Sequence, residues 1–332
     1  MLAVMPWNFP VWQVLRFAAP ALMAGNAGLL KHASNVPGTA LYLGDLFDRA
    51  GFPAGSFDTL LIGSDQVEAV VRDPRVAAVT LTGSEGAGRA VARAAGDALK
   101  KTVLELGGSD PFVVLPSADV ERAAATAVTA RVQNNGQSCI AAKRFIVHAD
   151  VYDAFLAAFS AGMAKLVVGD PVDPGTDVGP LATKQGRTDV EELVADAVAL
   201  GAAVEMSGKC PDGPGWFYAP TVLTGVTPAM RLYQEEAFGP VACVYRVDSV
   251  AEAVELANAT PFGLGATVWT TDPDEQEACI TALEAGAVTV NGMTVSYPQL
   301  PFGGIKTSGY GRELSAAGIR EFCNLKAVWV GA

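Results

Sequence analysis

The chain has 332 residues, half of them hydrophobic and 17% charged, which excludes intrinsic disorder and gives room for about two domains with cores of their own. Lys plus Arg number 23 against 35 Asp plus Glu, a net charge of −12 that excludes a general nucleic-acid binder but leaves open a local basic pocket for one anionic ligand. Five scattered cysteines (Cys139, Cys210, Cys243, Cys279 and Cys323) and two histidines (His32 and His148) show neither CxxC pairing nor metal-ligand spacing, so the expectation is no metal site, no disulfide framework and a reducing, cytoplasmic setting.

Residues 1–30 carry a single charge, Arg16, yet Pro6, Pro10 and Pro20 break the stretch, and Asn8, Gln13 and Asn26 would need partners in lipid. With no basic n-region or cleavage site before it, the stretch reads as buried protein interior rather than a membrane segment or signal peptide. Pro37 opens a helix carrying Leu41, Leu43, Leu46 and Phe47, and Gly51 closes it. Thr59–Ile62 is strand-like, and Asp65 with Glu68 has capping-box spacing for the next helix. Val76–Thr82 reads as a strand, followed by a helix near Gly88–Leu99 and by apolar runs at Thr102–Leu106 and Phe112–Leu115. Further on, Phe145–Val147 precedes a helix over Val151–Lys165, Ser249 with Glu252 caps another, and Val268 and Val288–Val290 are core strands. This β-α succession predicts α/β layers with largely parallel sheets, with Gly107-Gly108-Ser109 as the hinge and no internal repeat.

Three segments carry candidate chemistry. Gly83-Ser84-Glu85-Gly86-Ala87-Gly88 follows a strand and opens a helix, a context that suits a phosphate on backbone N–H groups and equally suits ordinary turn glycines. Its spacing is not GxGxxG, and Gly303-Gly304-Ile305-Lys306-Thr307-Ser308 is not a P-loop. Cys139 sits in the polar run Gln133-Asn134-Asn135-Gly136-Gln137-Ser138, where a nucleophile and an inert thiol are both open readings. A cysteine hydrolase would need a histidine base, and neither His32 nor His148 is placed to serve. Glu105 ends an apolar strand, as a general base with raised pKa or as a solvated strand end.

Five ordered motifs decide between these readings: Pro6-Trp7-Asn8-Phe9-Pro10, Leu104-Glu105-Leu106-Gly107-Gly108, Gly136-Gln137-Ser138-Cys139, Glu236-Ala237-Phe238-Gly239-Pro240 and Pro301-Phe302-Gly303-Gly304-Ile305-Lys306. Together they resemble the aldehyde dehydrogenase superfamily over essentially the whole chain. Residues 131–145 and 25–35 are most similar to its bacterial, NADP-using succinate-semialdehyde dehydrogenases. The resemblance implies a Rossmann-type cofactor domain over residues 1–107, an α/β catalytic domain over 108–307 and a tail, 308–332, with an oligomerisation strand. It implies oxidation of succinate semialdehyde or a similar short aldehyde to the acid, with Cys139 as nucleophile through a thiohemiacetal and a thioester. Asn8 and the Cys139 N–H are then the oxyanion donors, and Glu105 is the base that activates water. Met5, Trp7, Gly83, Ser84, Glu236 and Phe238 are the implied contacts of NADP, with NAD as the alternative cofactor.

For the substrate, Arg16 aligns with an arginine that binds the distal carboxylate in the family, and Gln133 stands where some members have a second arginine. Lys31 and Ser34 are the expected 2′-phosphate contacts, with His32 and Asn35 as further donors. NAD-preferring relatives often place Glu at the Ser34 position, and that charge repels a phosphate. Members normally carry a long segment before the Pro-Trp-Asn-Phe-Pro motif, so the cofactor domain is expected to be incomplete, with apolar surface exposed around residues 1–30. The competing expectations are a non-catalytic or unstable remnant and a broad-specificity aldehyde dehydrogenase. The expected partners are a small aldehyde and, with the full-length chain, further copies of itself, with no nucleic acid and no membrane.

Overall fold

A computed structural model describes residues 1–331. The chain forms two compact units: one holds residues 1–106, 296–304 and 309 onward, and the other holds residues 107–295 and 305–308.

The first unit begins with β1 (Leu2–Met5), α1 (Trp12–Met23), β2 (Gly28–His32), α2 (Pro37–Arg49) and β3 (Phe57–Thr59). It continues with α3 (Val67–Arg72), β4 (Ala78–Thr82), α4 (Glu85–Asp97) and β5 (Lys101–Glu105). These strands pair in parallel in the order β5-β4-β1-β2-β3, and Gly309–Tyr310 adds an antiparallel edge strand beside β5. The chain lays β2 and β3 on one side of β1, then returns to lay β4 and β5 on the other. That reversal makes the carboxyl ends of β1 and β4 the switch point of a doubly wound sheet, where a crevice opens for ligands. Leu2, Ala3, Val79 and Leu81 are buried, so β1 and β4 read as continuous apolar runs rather than alternating ones.

Within residues 1–30, β1 is central and covered by α1, Val11 and Met23 are exposed, and Met1, Ala27 and Leu29 line an open, mostly apolar cavity of about 640 Å³. Two details differ from the sequence reading. The strand expected at Thr59–Ile62 lies earlier, because β3 is the sheet edge and Leu61 is left in solvent. The Asp65–Glu68 capping box does not form. A 3-10 turn at Ser64–Gln66 precedes α3, and Gln66 accepts from the Gly63 N–H at 3.3 Å. By contrast, α2 starts with Pro37 in its first turn and is followed by Gly51 at φ +84°, the left-handed stop that glycine favours.

The second unit contains β6 (Pro111–Val114), α5 (Val120–Val132), β7 (Arg144–His148), α6 (Ala149–Ala164), α7 (Lys184–Ala199), β8 (Ala203–Ser207) and β9 (Thr221–Thr224). After α8 (Arg231–Gln234) come β10 (Val241–Val247), α9 (Val250–Asn258), β11 (Phe262–Gly263), β12 (Gly265–Trp269), α10 (Pro273–Ala282) and β13 (Ala287–Val290). Its main sheet has the order β13-β12-β6-β7-β10-β9-β8, parallel except for β8. Alternate residues feed two cores: Phe112, Val114, Phe145 and Val147 face one, and Val113 and Ile146 face the other. Because β6, β7 and β10 are parallel neighbours, the segments that precede them meet at one edge of the sheet. Those segments carry the Gly107-Gly108, Cys139 and Glu236 motifs.

After the helix Ser315–Glu321, residues 323–331 form neither helix nor strand, and Leu325, Val328, Trp329 and Val330 are exposed. The strand expected in this tail is not formed.

The Phe145 ring lies 4.6 Å from that of Phe159 and 5.4 Å from that of Phe112, centroid to centroid, and is fully buried. Phe145→Ala should therefore destabilise the second unit by about 3–5 kcal/mol. Urea unfolding followed by tryptophan fluorescence, which reports on the buried Trp269 in the same core, checks this.

Candidate active site

In the second unit the chain leaves α5 through Asn134, Asn135 and Gly136, at φ +50°, +59° and +74°. Three consecutive left-handed residues explain the Asn-Asn-Gly sequence, since these types tolerate that region best. A Cβ on Gly136 would stand 2.5 Å from the Gly239 carbonyl carbon, so only glycine lets this loop touch the Glu236–Pro240 segment. Asn135 accepts from the Gly179 N–H at 2.9 Å and donates to the Pro180 carbonyl at 3.2 Å, and Gln137 accepts from the Ala182 N–H at 3.1 Å. The buried Arg131 donates to the Gly136 carbonyl at 2.8 Å.

Cys139 follows in a turn closed by the Ala141 N–H on the Ser138 carbonyl at 3.1 Å. It is half-buried, whereas Cys243 and Cys279 are buried and Cys210 and Cys323 are exposed. Burial pushes the Cys243 thiol up to about 12 and that of Cys279 to about 11, which keeps both protonated and inert.

Beneath the turn lies Lys143, buried, with Nζ donating to the carbonyls of Ser138 (3.1 Å), Cys139 (3.1 Å) and Ala141 (3.0 Å). Nζ is also 3.2 Å from Glu236 Oε1, which accepts the Gly108 N–H at 3.2 Å. A Cβ on Gly107 would stand 2.6 Å from Glu236 Oε2, and one on Gly108 2.6 Å from the Cys139 carbonyl oxygen. Burial raises the pKa of Glu236 and lowers that of Lys143, and their mutual attraction opposes both shifts. Asp110 accepts the Gly265 N–H at 3.1 Å; burial pushes its carboxyl up to about 7, against the pull of Lys143. Phe238 is half-buried between Ala237 and Gly239.

The Gln133 side-chain amide donates to the Ile140 carbonyl at 3.4 Å and to that of Ala130 at 3.5 Å, which ties it to the loop around Cys139.

In the first unit, Met5 ends β1, and Trp7 and Asn8 lie half-buried in the turn before α1. Lys31, on β2, lines a cavity of about 320 Å³ whose walls include Val4, Asp65, Leu81, Ala87 and Val91. Ser34 is exposed, and the N-cap of α2 is Val36 with no side-chain cap, so neither Ser34 nor Asn35 serves as that helix's cap. The His32 ring is held by backbone groups: Nε2 lies 2.9 Å from the Pro10 carbonyl, and Nδ1 lies 2.9 Å from the Ala33 nitrogen and 3.3 Å from the Met5 carbonyl. At the carboxyl end of β4, the Gly83 N–H donates to the Glu105 carbonyl at 2.9 Å, and Ser84 caps α4 by accepting the Ala87 N–H at 3.4 Å.

Glu105 is buried, and neither of its carboxylate oxygens has a hydrogen-bond partner among the described residues. Burial pushes its pKa up to about 8 against the pull of Arg16; Glu313 adds to the rise and Arg312 opposes it. A Cβ on Gly303 would stand 2.8 Å from Glu105 Oε1, so this glycine keeps the space at the carboxylate clear. Arg16 departs from the expected cation at a pocket mouth. It is buried and ion-paired with Glu313, with its guanidinium 4.3 Å over the Phe302 ring.

The sequence reading missed Lys143, Arg131, Asp110 and Glu313. The available signal was a charge set against an apolar run that proves to be buried, as in Lys143-Arg144 before Phe145-Ile146-Val147. Among the described residues, no group of three or more His, Cys, Asp or Glu is arranged to hold a metal ion, and no helix is long and apolar enough to cross a membrane.

Comparison with known proteins gives a match to the model of the aldehyde dehydrogenase family over residues 1–328. The chain is 67% identical over 330 residues to succinate-semialdehyde dehydrogenase (NADP+) 1 of Mycobacterium tuberculosis, covering 99% of this chain and 72% of that protein. It is 65% identical over 332 residues to the succinate-semialdehyde dehydrogenase (NADP+) of Mycolicibacterium paratuberculosis, covering 70% of it. Among solved structures, succinic semialdehyde dehydrogenase from Streptococcus pyogenes in complex with NADP+ superposes with a TM-score of 0.97 at 42% identity, covering all of this chain and 73% of that one.

A carboxyl group whose pKa is about 8 when folded and near 4.5 when exposed binds a proton on folding between those values, so its contribution to stability falls as pH rises through that window. Glu105→Gln removes the burden: the variant should melt higher than the parent at pH 8 and level with it near pH 4. Thermal unfolding across pH checks this, and a lower melting point at pH 8 would contradict the assignment.

Proposed function

The chain belongs to the aldehyde dehydrogenase family, and we propose that it carries out the NADP-dependent oxidation of succinate semialdehyde to succinate. The observation that supports this most is the close packing in the second unit, where Gly107 and Gly108 bring Glu236 and the Cys139 turn into one cluster.

Cys139 is the nucleophile: its sulfur bonds to the aldehyde carbon and the carbonyl electron pair moves onto oxygen. The Cys139 N–H and the Asn8 side-chain amide donate to that oxygen. NADP, when bound, supplies the hydride acceptor. Glu105 takes a proton from the water that hydrolyses the resulting Cys139 thioester. A dry carboxyl with pKa near 8 suits this role, since it accepts a proton readily and is ionised in a useful fraction at neutral pH.

The residues present fit the cofactor. The cavity beside β1 and β4 has apolar walls suited to a flat adenine ring, and Lys31 at its edge suits a phosphate. The start of α4, after Gly83 and Ser84, offers N–H groups to the pyrophosphate. Glu236 holds the nicotinamide ribose, with Met5, Trp7 and Phe238 as apolar neighbours. Ser34 adds no carboxylate of its own against the 2′-phosphate, although Asp65 and Glu68 line the same cavity as Lys31. An incoming carboxylate that uses Arg16 must compete with Glu313 for it, so substrate binding there is an exchange of ion pairs. The reading extends to a cytoplasmic homo-oligomer, supported by the exposed apolar tail around Trp329 and by the sparse cysteines.

Purified chain mixed with NADP and succinate semialdehyde should form NADPH, and Cys139→Ala should lower the rate by about 10³-fold or more. Butanal and NAD should be poorer partners, and Ser34→Glu should shift kcat/KM toward NAD. Formation of no NADPH from either aldehyde would sink the proposal. An unchanged cofactor ratio in Ser34→Glu would remove Ser34 as the determinant.

A further inference from the structure

We propose that Lys143 is a positioning residue that aims the backbone N–H of Cys139 at the developing oxyanion. This rests on Cys139 being the nucleophile. In a trans peptide the C=O and the N–H of one unit point in opposite directions. The Ser138 carbonyl points at Lys143 Nζ, 3.1 Å away, and so the N–H of that same peptide unit, which belongs to Cys139, points away from the lysine. The Cys139 carbonyl, also 3.1 Å from Nζ, fixes the following unit in the same manner. With the Ala141 carbonyl and Glu236 Oε1, four oxygens lie within 3.2 Å of Nζ and share the three ammonium protons.

Burial makes this arrangement stiff. Water does not reach the ammonium, so flipping a peptide of the turn would withdraw a carbonyl from a buried charge, which costs free energy. Glu236 at 3.2 Å supplies the counter-charge and links the turn to the carboxylate assigned to the cofactor. Asp110 and Arg131 are the other charged groups acting on Lys143, and Arg131 anchors the loop one step earlier at Gly136. The alternative, that Lys143 serves only to neutralise Glu236, leaves its three carbonyl contacts without a purpose.

The test compares the parent with Lys143→Met, Lys143→Gln and Glu236→Gln in three measurements. These are NADP-dependent oxidation of succinate semialdehyde, cofactor-free hydrolysis of p-nitrophenyl acetate, and iodoacetamide labelling of Cys139 against pH by mass spectrometry. Both Lys143 variants should lose about 100-fold in kcat for oxidation and for ester hydrolysis alike, as when an oxyanion donor is lost, with KM for NADP little changed. Their Cys139 labelling should shift upward by about one pH unit, because a neighbouring cation is gone. Glu236→Gln should instead act mainly by raising KM for NADP, with a smaller loss of ester hydrolysis than either Lys143 variant. An unchanged kcat in both Lys143 variants, or a loss confined to KM for NADP, overturns the proposal. Loss of a cooperative melt in both would make Lys143 a residue of the fold and overturn it as well. Should the parent itself turn over neither substrate, the nucleophile assignment fails separately. The labelling profile then decides for Lys143: a shift supports its action on the Cys139 turn, and identical profiles refute it.

Discussion

The second unit depends on three backbone approaches that leave no room for a side chain. Gly136 lies against Gly239, Gly107 against the Glu236 carboxylate and Gly108 against the Cys139 carbonyl. Parallel pairing of β6, β7 and β10 brings the three segments to one edge, but adjacency alone leaves side-chain thickness between them. Removing the Cβ atoms turns neighbouring loops into one body. The buried Lys143 ammonium, the partly buried Glu236 carboxylate and the turn carbonyls then stay within hydrogen-bond reach. Unlike the switch point of the first unit, which lies at the carboxyl ends of β1 and β4, this cluster is built at the amino ends of its strands.

Both units bury charge, and each balances it locally. In the first, Arg16 and Glu313 neutralise one another while Glu105 has no donor of its own among the described residues. That asymmetry is what a base requires: a fully solvated or fully paired carboxylate is too weak to take a proton at neutral pH. In the second, Lys143 and Arg131 face Glu236 and Asp110. Burial makes each of these groups expensive alone, and their pairing makes the set tolerable.

Much of this was readable in the sequence because it is local. The helix from Pro37 to the glycine stop, the Ser249 cap that accepts the Glu252 N–H, and the strands around Phe112 and Phe145 depend on residues close along the chain. The five motifs are legible for the same reason, since each is a short run of consecutive residues. What escaped depends on distant partners. Arg16 reads as a free cation until Glu313 is brought to it from the other end of the chain. Lys143 reads as a surface charge beside a strand until the turn folds back over it. Ser34 and Gln133 show the opposite limit, where the aligned position is clear but the direction of the side chain is decided by neighbours that no local pattern records.

The first unit is stitched from both ends of the chain, and this bears on its birth at the ribosome. Residues 1–106 emerge early, yet the strand at Gly309–Tyr310 that borders β5, and Glu313 that neutralises Arg16, are synthesised some two hundred residues later. Until then the nascent sheet has an open edge, and Arg16 has no Glu313 to compensate it. The second unit is almost continuous in sequence and is complete in outline before the first can close. Vectorial synthesis at about 5–20 residues per second therefore separates the strands of residues 1–106 from Gly309–Tyr310 by on the order of ten seconds or more.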